Sequence, residues 1–130
     1  MRNIAMFILL FFASVCAHAQ TEGDCRGNMI QINDCMLDRL EKVEADLNRV
    51  YALVMKEFSK PDESNIQYSL ARKELLSAQR AWVAFRKSDC DAVYTIAGGS
   101  VANMRLLACM EGHAVARTKE LKEQFLVEER

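Results

Sequence analysis

The chain has 130 residues, with 17 Lys and Arg against 18 Asp and Glu, which gives a formal net charge of −1 at pH 7. No basic block or stripe stands out, so the composition argues against nucleic-acid binding. There is no repeat, low-complexity tract or interdomain linker. We therefore predict one domain over residues 20–130, which is long enough to bury a core of its own.

The first predicted element is a secretory signal peptide over residues 1–19. Arg2 supplies the positive start, and residues 4–15 are an almost unbroken apolar run. Ala17-His18-Ala19 fits the small-x-small rule for signal cleavage. The run is too short for a comfortable transmembrane helix, so we expect no stable membrane insertion after cleavage.

Cys16 suggests lipoprotein anchoring as an alternative. A lipobox requires a small residue before the cysteine and usually leucine three positions before it, whereas this chain has Val15 and Ala13 there. We therefore expect a periplasmic or secreted protein without a lipid anchor.

The first predicted helix starts near Asn28, because Asn28 followed three residues later by Gln31 resembles a capping box. It ends before Pro61, which disfavours helix at Lys60 and has no backbone N–H to donate. Apolar residues between these signals recur at steps of three and four, which marks one buried stripe. The stripe comprises Met36, Leu40, Val43, Leu47, Val50, Val54 and Phe58.

The second predicted helix begins near Ser64, because Ser64-x-x-Gln67 is another capping signature. Its apolar residues fall on two faces, which predicts a helix packed on two sides and therefore the middle helix of three. One face carries Tyr68, Ala71, Leu75, Ala78, Trp82 and Phe85, and the other carries Leu76, Val83, Val93 and Ala97.

Gly98-Gly99-Ser100 predicts the second turn, with a glycine that ends one helix and a serine that caps the next. Short connections make consecutive helices antiparallel, so the predicted fold class is an all-α, up-down-up three-helix bundle with two disulfides. The stripe of the third helix comprises Met104, Leu107, Ala114, Thr118, Leu121 and Phe125.

Four cysteines follow the signal peptide, and an even number in an exported chain predicts two disulfides. The first pairing we consider is Cys25–Cys35 with Cys90–Cys109. Spacing does not decide connectivity, so Cys35–Cys90 with Cys25–Cys109 stays open. There is no Cys-x-x-Cys pair and only one histidine, His113, in the exported part, so we expect no metal site.

The stretch AQRAWVAFR in the second helix combines polar and aromatic residues. Trp82 lies on the inner stripe and is predicted to be core. Arg86 follows one turn later, where it can stack on Trp82. Counting residues back from the turns places Asp38 and Glu111 level with Arg86, so either carboxylate is its expected partner.

Asp46, Asn48, Gln79 and Arg80 are placed at one level of the bundle by the same counting. We predict that they form an interhelical hydrogen-bond layer that fixes helix register. With Trp82 and Arg86 they are interpreted as a structural polar cluster rather than a ligand site, because every member has a plausible partner.

Catalysis has little support in the sequence. Nucleophile-elbow, zinc-protease and phosphate-loop motifs do not occur. His113 is expected to be solvated, since no nucleophile is spaced to meet it. We therefore predict a protein that is not an enzyme and needs no cofactor.

The chain resembles the family named for the lysozyme inhibitor LprI, a family of exported bacterial domains. The resemblance covers residues 25 to about 121, nearly all of the exported part. It departs from the family pattern at Gly112-His113-Ala114. The matching residues are Cys25, Cys35, Ala45-Asp46-Leu47-Asn48-x-x-Tyr51, Ala78-Gln79-Arg80-Ala81-Trp82, Phe85-Arg86-x-x-x-Cys90, Gly99-Ser100, Cys109 and Arg117-x-x-x-Leu121.

The resemblance implies lysozyme inhibition as a function. An inhibitor must insert a rigid projection into a cleft that holds two carboxyl groups and meet a basic rim with acids. The candidate partner-binding loop is residues 59–65, with Pro61, Asp62 and Glu63 at its tip. A second candidate surface is residues 97–100 at the cysteine-rich end.

Two alternatives stay open. The protein is an interaction or immunity module for another envelope protein, or it binds a small molecule in a gap beside Trp82 and Arg86. Binding to lysozyme separates the first alternative from inhibition. A large apolar cavity beside Trp82 would favour the second.

Overall fold

The computed structural model describes residues 24–126. They form three long helices, α1 over Met29–Glu57, α2 over Tyr68–Ala97 and α3 over Ala102–Phe125, with a short 3₁₀ turn over Gly99–Val101. The predicted all-α class is confirmed. The predicted signal peptide and Cys16 lie outside the described residues. Among the helices described, none combines the length and apolarity needed to cross a membrane.

The start of α1 follows the predicted capping box. The Asn28 side chain accepts hydrogen bonds from the backbone N–H groups of Ile30 and Gln31, each at 3.1 Å. The Gln31 side chain accepts one from the Asn28 N–H at 3.0 Å. Gly27 precedes the box with φ +127°, and a Cβ there would lie 2.4 Å from Gln31 Oε1. Glycine is therefore the residue that leaves room for the box.

The starts of α2 and α3 differ from the predictions. α2 begins at Tyr68, and its N-cap Gln67 makes no side-chain cap, so the Ser64 capping box is wrong. Gly98 ends α2 as predicted, with φ +57°. Ser100 lies inside the 3₁₀ turn, and Val101 is the N-cap of α3, so the predicted serine cap is wrong as well.

α1 and α3 run in the same direction. Arg39 of α1 pairs with Glu111 of α3 at 2.6 Å, and Asp46 further along α1 pairs with Lys122 further along α3 at 3.3 Å. α2 runs the opposite way: Gln79 bonds to Arg117, whereas Asp89, further along α2, contacts His113, which comes earlier in α3. The up-down-up arrangement is thus confirmed.

α3, not α2, is the middle helix. It packs extensively against both α1 and α2, whereas α1 and α2 contact each other little. Ala114 in the middle of α3 is fully buried, and its small side chain allows close approach of the neighbouring helices. The prediction that α2 lies in the middle is wrong, because its second apolar face is open to solvent at Leu76, which is 38% exposed, and at Val83, which is 53% exposed.

The core lies where all three helices converge. It is completed by the edge-to-face contact of Phe58 and Phe125, whose ring centroids are 5.4 Å apart. Trp82 is partly buried and packs against the core, as predicted. The buried core residues are Leu47, Val50, Val54, Leu75, Ala114 and Leu121.

The disulfides are Cys25–Cys35 and Cys90–Cys109, the first of the two pairings considered. Cys25–Cys35 fastens the segment before α1 onto the second turn of that helix. Cys90–Cys109 joins α2 to α3, and Cys90 is fully buried.

Candidate functional site

Arg86 is the most deeply buried ionic group of α2, with 7% of its surface exposed. Its Nη2 donates to Glu44 Oε1 of α1 at 2.7 Å. Its guanidinium lies 5.4 Å from the Trp82 ring centroid, so the predicted stacking is confirmed. The predicted carboxylate partners, Asp38 and Glu111, are wrong.

The change of partner follows from helix register. Glu44 lies nearly two turns beyond Asp38 on α1, so the two helices are offset along their axes relative to simple counting from the turn. Glu111 is paired with Arg39, and its carboxylate is largely buried. Because Arg86 bonds across α1 and α2 where these helices have few other contacts, this ion pair is a main polar link between them.

The predicted polar layer is divided by α3. Asp46 accepts from Lys122 of α3 and from Arg49 on its own helix. Gln79 accepts from Arg117 Nε of α3 at 3.1 Å. The members predicted to bond each other across α1 and α2 therefore bond to the middle helix instead.

The other two members of the predicted layer, Asn48 and Arg80, have exposed side chains. The hydrogen bond from Arg49, more than that from Lys122, holds the pKa of Asp46 below its usual value. Asp46 and Gln79 both make hydrogen bonds between or along helices.

Three surface clefts lie along the helix boundaries. One of about 400 Å³ lies between α1 and α3, and one of about 270 Å³ lies between α2 and α3. A third, of about 320 Å³, lies between α1 and α2, where Tyr51 faces Leu76, Gln79, Arg80 and Val83. Trp82 and Arg86 line none of these three clefts, so none of them supports the gap beside these two residues that a small-molecule site requires.

The candidate partner-binding loop is exposed at Pro61, Asp62 and Glu63. Asp62 accepts from the Ser69 backbone N–H at 2.8 Å and from the Ser69 hydroxyl at 2.6 Å. It therefore caps α2 in place of the predicted Ser64. The backbones of Glu63 and Ile66 bond reciprocally at 2.9 and 3.4 Å, which closes a tight turn. The loop is thus held at both Asp62 and Glu63.

The cap makes a prediction for pH dependence. The bond from the Ser69 hydroxyl, followed by that from the Ser69 backbone, holds the pKa of Asp62 below its usual value. When folding lowers the pKa of a carboxyl group, its charged form stabilises the fold at pH values above the unfolded pKa. This stabilisation is lost as the pH falls through the folded pKa. We therefore expect Asp62→Ala to lower the melting temperature at pH 7, and the deficit to shrink as pH falls from about 4 towards 2.

Glu63→Ala is the matched control for this titration, since Glu63 is the neighbouring exposed carboxylate and its side chain caps no helix. It is expected to leave the melting temperature nearly unchanged across the same range. A deficit for Asp62→Ala that keeps its full size at pH 2 would contradict the cap.

His113 is not the solvated histidine that the sequence predicts. Its side chain is 24% exposed, and its Nε2 lies 2.8 Å from Asp89 Oδ2 of α2. The Phe85 ring packs edge-on against the imidazole, with centroids 5.5 Å apart. His113 and Asp89 flank the Cys90–Cys109 disulfide. Sequence reasoning missed this group, although a cysteine and a histidine four residues apart on one helix face were a usable signal.

The geometry defines a class of protein: a small, disulfide-bonded, all-α domain whose polar groups mostly cap helices or join them, with a rigid exposed loop between α1 and α2. A family model described as "Lysozyme inhibitor LprI" matches residues 16–121. The chain belongs to this family.

A protein of Rhizobium meliloti (strain 1021), described as uncharacterized, is 32% identical over 126 residues, which cover 92% of this chain and 91% of that protein. No solved structure is significantly similar to the chain.

Proposed function

We propose that this protein is an exported, non-enzymatic binding protein that inhibits a lysozyme in the bacterial periplasm. The family match over residues 16–121 carries the proposal, because the family is described by that inhibitory activity. The two disulfides support export, since such bridges persist in oxidising compartments. The apolar run over residues 4–15 supports a secretory signal.

The loop between α1 and α2 has the properties that a plug for an enzyme cleft needs. A rigid projection loses little conformational freedom on binding, and this loop is held by the Asp62 cap and by the closed turn at Glu63. Both carboxylates are exposed and can meet a cationic rim. The proposed contact is therefore the tip formed by Pro61, Asp62 and Glu63.

The test is inhibition of a c-type lysozyme by the purified, oxidised protein. The informative variant is Asp62→Asn with Glu63→Gln, which removes both charges but keeps an oxygen that can accept from Ser69. We expect this variant to lower the melting temperature less than Asp62→Ala does, because one acceptor for Ser69 remains. At a temperature well below melting it should inhibit roughly tenfold less strongly, because rim charges act chiefly on association rate. Alanine at Asp62 is unsuitable for this test, because it removes the helix cap together with the charge and the two effects could not be separated.

Asp34→Asn with Asp38→Asn is the matched control. It removes two exposed carboxylates from the other end of α1, so it changes net charge equally without touching the loop. Equal weakening by both pairs would reduce the effect to net charge and reject the loop as the contact. Inhibition that survives both pairs would move the contact to residues 97–100.

A complete lack of inhibition at micromolar excess would reject lysozyme as the partner. The alternative of an interaction or immunity module for another envelope protein would then be preferred.

A further inference from the structure

Four potential metal ligands from two helices converge beside the core. Asp89 and Cys90 come from α2, and Cys109 and His113 come from α3, and their donor atoms all lie within 4.8 Å of one another. Cys109 and His113 are four residues apart and therefore share one face of α3. In the structure the two sulfurs are joined as a disulfide.

The donor set of two sulfurs, one imidazole nitrogen and one carboxylate oxygen consists of ligand types that zinc binds in proteins. Zn²⁺ takes thiolate sulfur at about 2.3 Å and imidazole nitrogen or carboxylate oxygen at about 2.0–2.2 Å, in a tetrahedron. Such a tetrahedron separates its donors by about 3.3–3.8 Å. The His113–Asp89 contact of 2.8 Å would widen slightly, and the two sulfurs would separate once their bond is broken. The helices thus hold all four donor atoms at separations close to those in a zinc tetrahedron.

We propose that reduction of the Cys90–Cys109 disulfide converts this cluster into a four-ligand zinc site. The step needs a dithiol reductant, which passes two electrons and two protons to the bridge and becomes a disulfide itself. The two new thiols then lose their protons to solvent as Zn²⁺ binds their thiolates. Asp89 and neutral His113 complete the coordination.

The surroundings suit a closed site. Cys90 is fully buried, Cys109 and His113 are partly buried, and Asp89 is exposed, so the ion approaches from the Asp89 side. Phe85 packs against the imidazole and restricts its rotation. The ion would join α2 to α3 at the position where the disulfide joins them in the oxidised protein, so each state keeps one cross-link there.

The experiment uses the protein with Cys25→Ser and Cys35→Ser, so that Cys90 and Cys109 are the only thiols of the described residues. Reduced protein is titrated with Co²⁺, whose visible bands report tetrahedral geometry and whose charge-transfer band reports thiolate ligands. We expect one Co²⁺ per chain, displaced by one Zn²⁺, and a Zn²⁺-dependent rise in melting temperature. The oxidised protein is expected to show none of these signals.

Variants identify the ligands. His113→Ala and Asp89→Asn are each expected to weaken Zn²⁺ affinity of the reduced protein by about tenfold or more. Asp91→Asn is the matched control, because Asp91 is an exposed acid two residues away that pairs with Lys87. It should leave affinity unchanged.

Three results would overturn the site: equal binding by oxidised protein, affinity unaffected by His113→Ala, or a reduced protein that gives no thiolate band. If reduction without metal unfolds the chain, circular dichroism decides the question. Zn²⁺ must then restore helical signal in the parent and fail to restore it in His113→Ala.

Discussion

Replacing both Cys90 and Cys109 by alanine is expected to lower the free energy of unfolding by about 3–4 kcal/mol. The bridge spans 19 residues of sequence and joins two different helices, so it removes conformational freedom from the unfolded chain. Cys90 is fully buried, and its truncation also leaves a small void in the core. Denaturant unfolding at equilibrium measures the loss.

The Cys25→Ala, Cys35→Ala variant is the control, with an expected loss of about 2–3 kcal/mol. Its bridge spans only 10 residues and fastens the segment before α1 to that same helix. Neither cysteine is fully buried, so little core packing is lost. A loss for Cys25 and Cys35 equal to or greater than that for Cys90 and Cys109 would show that the N-terminal segment contributes more to stability than the α2–α3 link.

The parts of the fold that depend on local chemistry could be predicted from the sequence. The Asn28 capping box, the end of α1 before Pro61 and the end of α2 at Gly98 are all decided by residues within one turn of the boundary. Trp82 was placed in the core by periodicity alone. These predictions needed no knowledge of how helices sit together.

Helix order could not be predicted in the same way. The sequence pattern shows that one face of a helix is apolar. It does not show which other helix covers that face, or whether any helix covers it. Leu76 and Val83 form a second apolar face on α2 that resembles a buried one, yet it borders an open cleft. Ala114 belongs to the predicted stripe of α3, but a buried alanine does not by itself show that two other helices cover the helix that carries it.

The sequence predicts which residues belong to the candidate site better than it predicts which of them bond to each other. Arg86 pairs with a carboxylate and stacks on Trp82, as predicted, but the carboxylate is that of Glu44 rather than Asp38. The partner differs because the offset between two helices depends on the path of the whole connecting loop. Asp62 caps α2 from seven residues before Ser69, which lies outside the spacing of a capping box. His113 and Asp89 belong to different helices, so sequence spacing alone did not join them.

Arg86→Ala is expected to lower the free energy of unfolding by about 2–4 kcal/mol. The change removes the ion pair with Glu44 and the apolar stem that packs near Trp82. The Glu44 side chain is 40% exposed, so the carboxylate left behind is partly hydrated and lost packing supplies much of the cost. The expected effect is on stability, without selective loss of partner binding.

Two further variants separate charge from packing. Arg86→Met keeps an unbranched apolar stem and removes the buried charge, and it should cost within about 1 kcal/mol. Glu44→Ala leaves a guanidinium whose side chain is only 9% exposed and whose Nε already has no partner among the described residues, so about 1–3 kcal/mol is expected. Because Arg86→Met keeps the apolar stem, a cost well above about 1 kcal/mol for this variant would show that the ion pair itself stabilises the bundle. A preserved melting temperature with lost binding in Arg86→Ala would instead make Arg86 part of the partner contact.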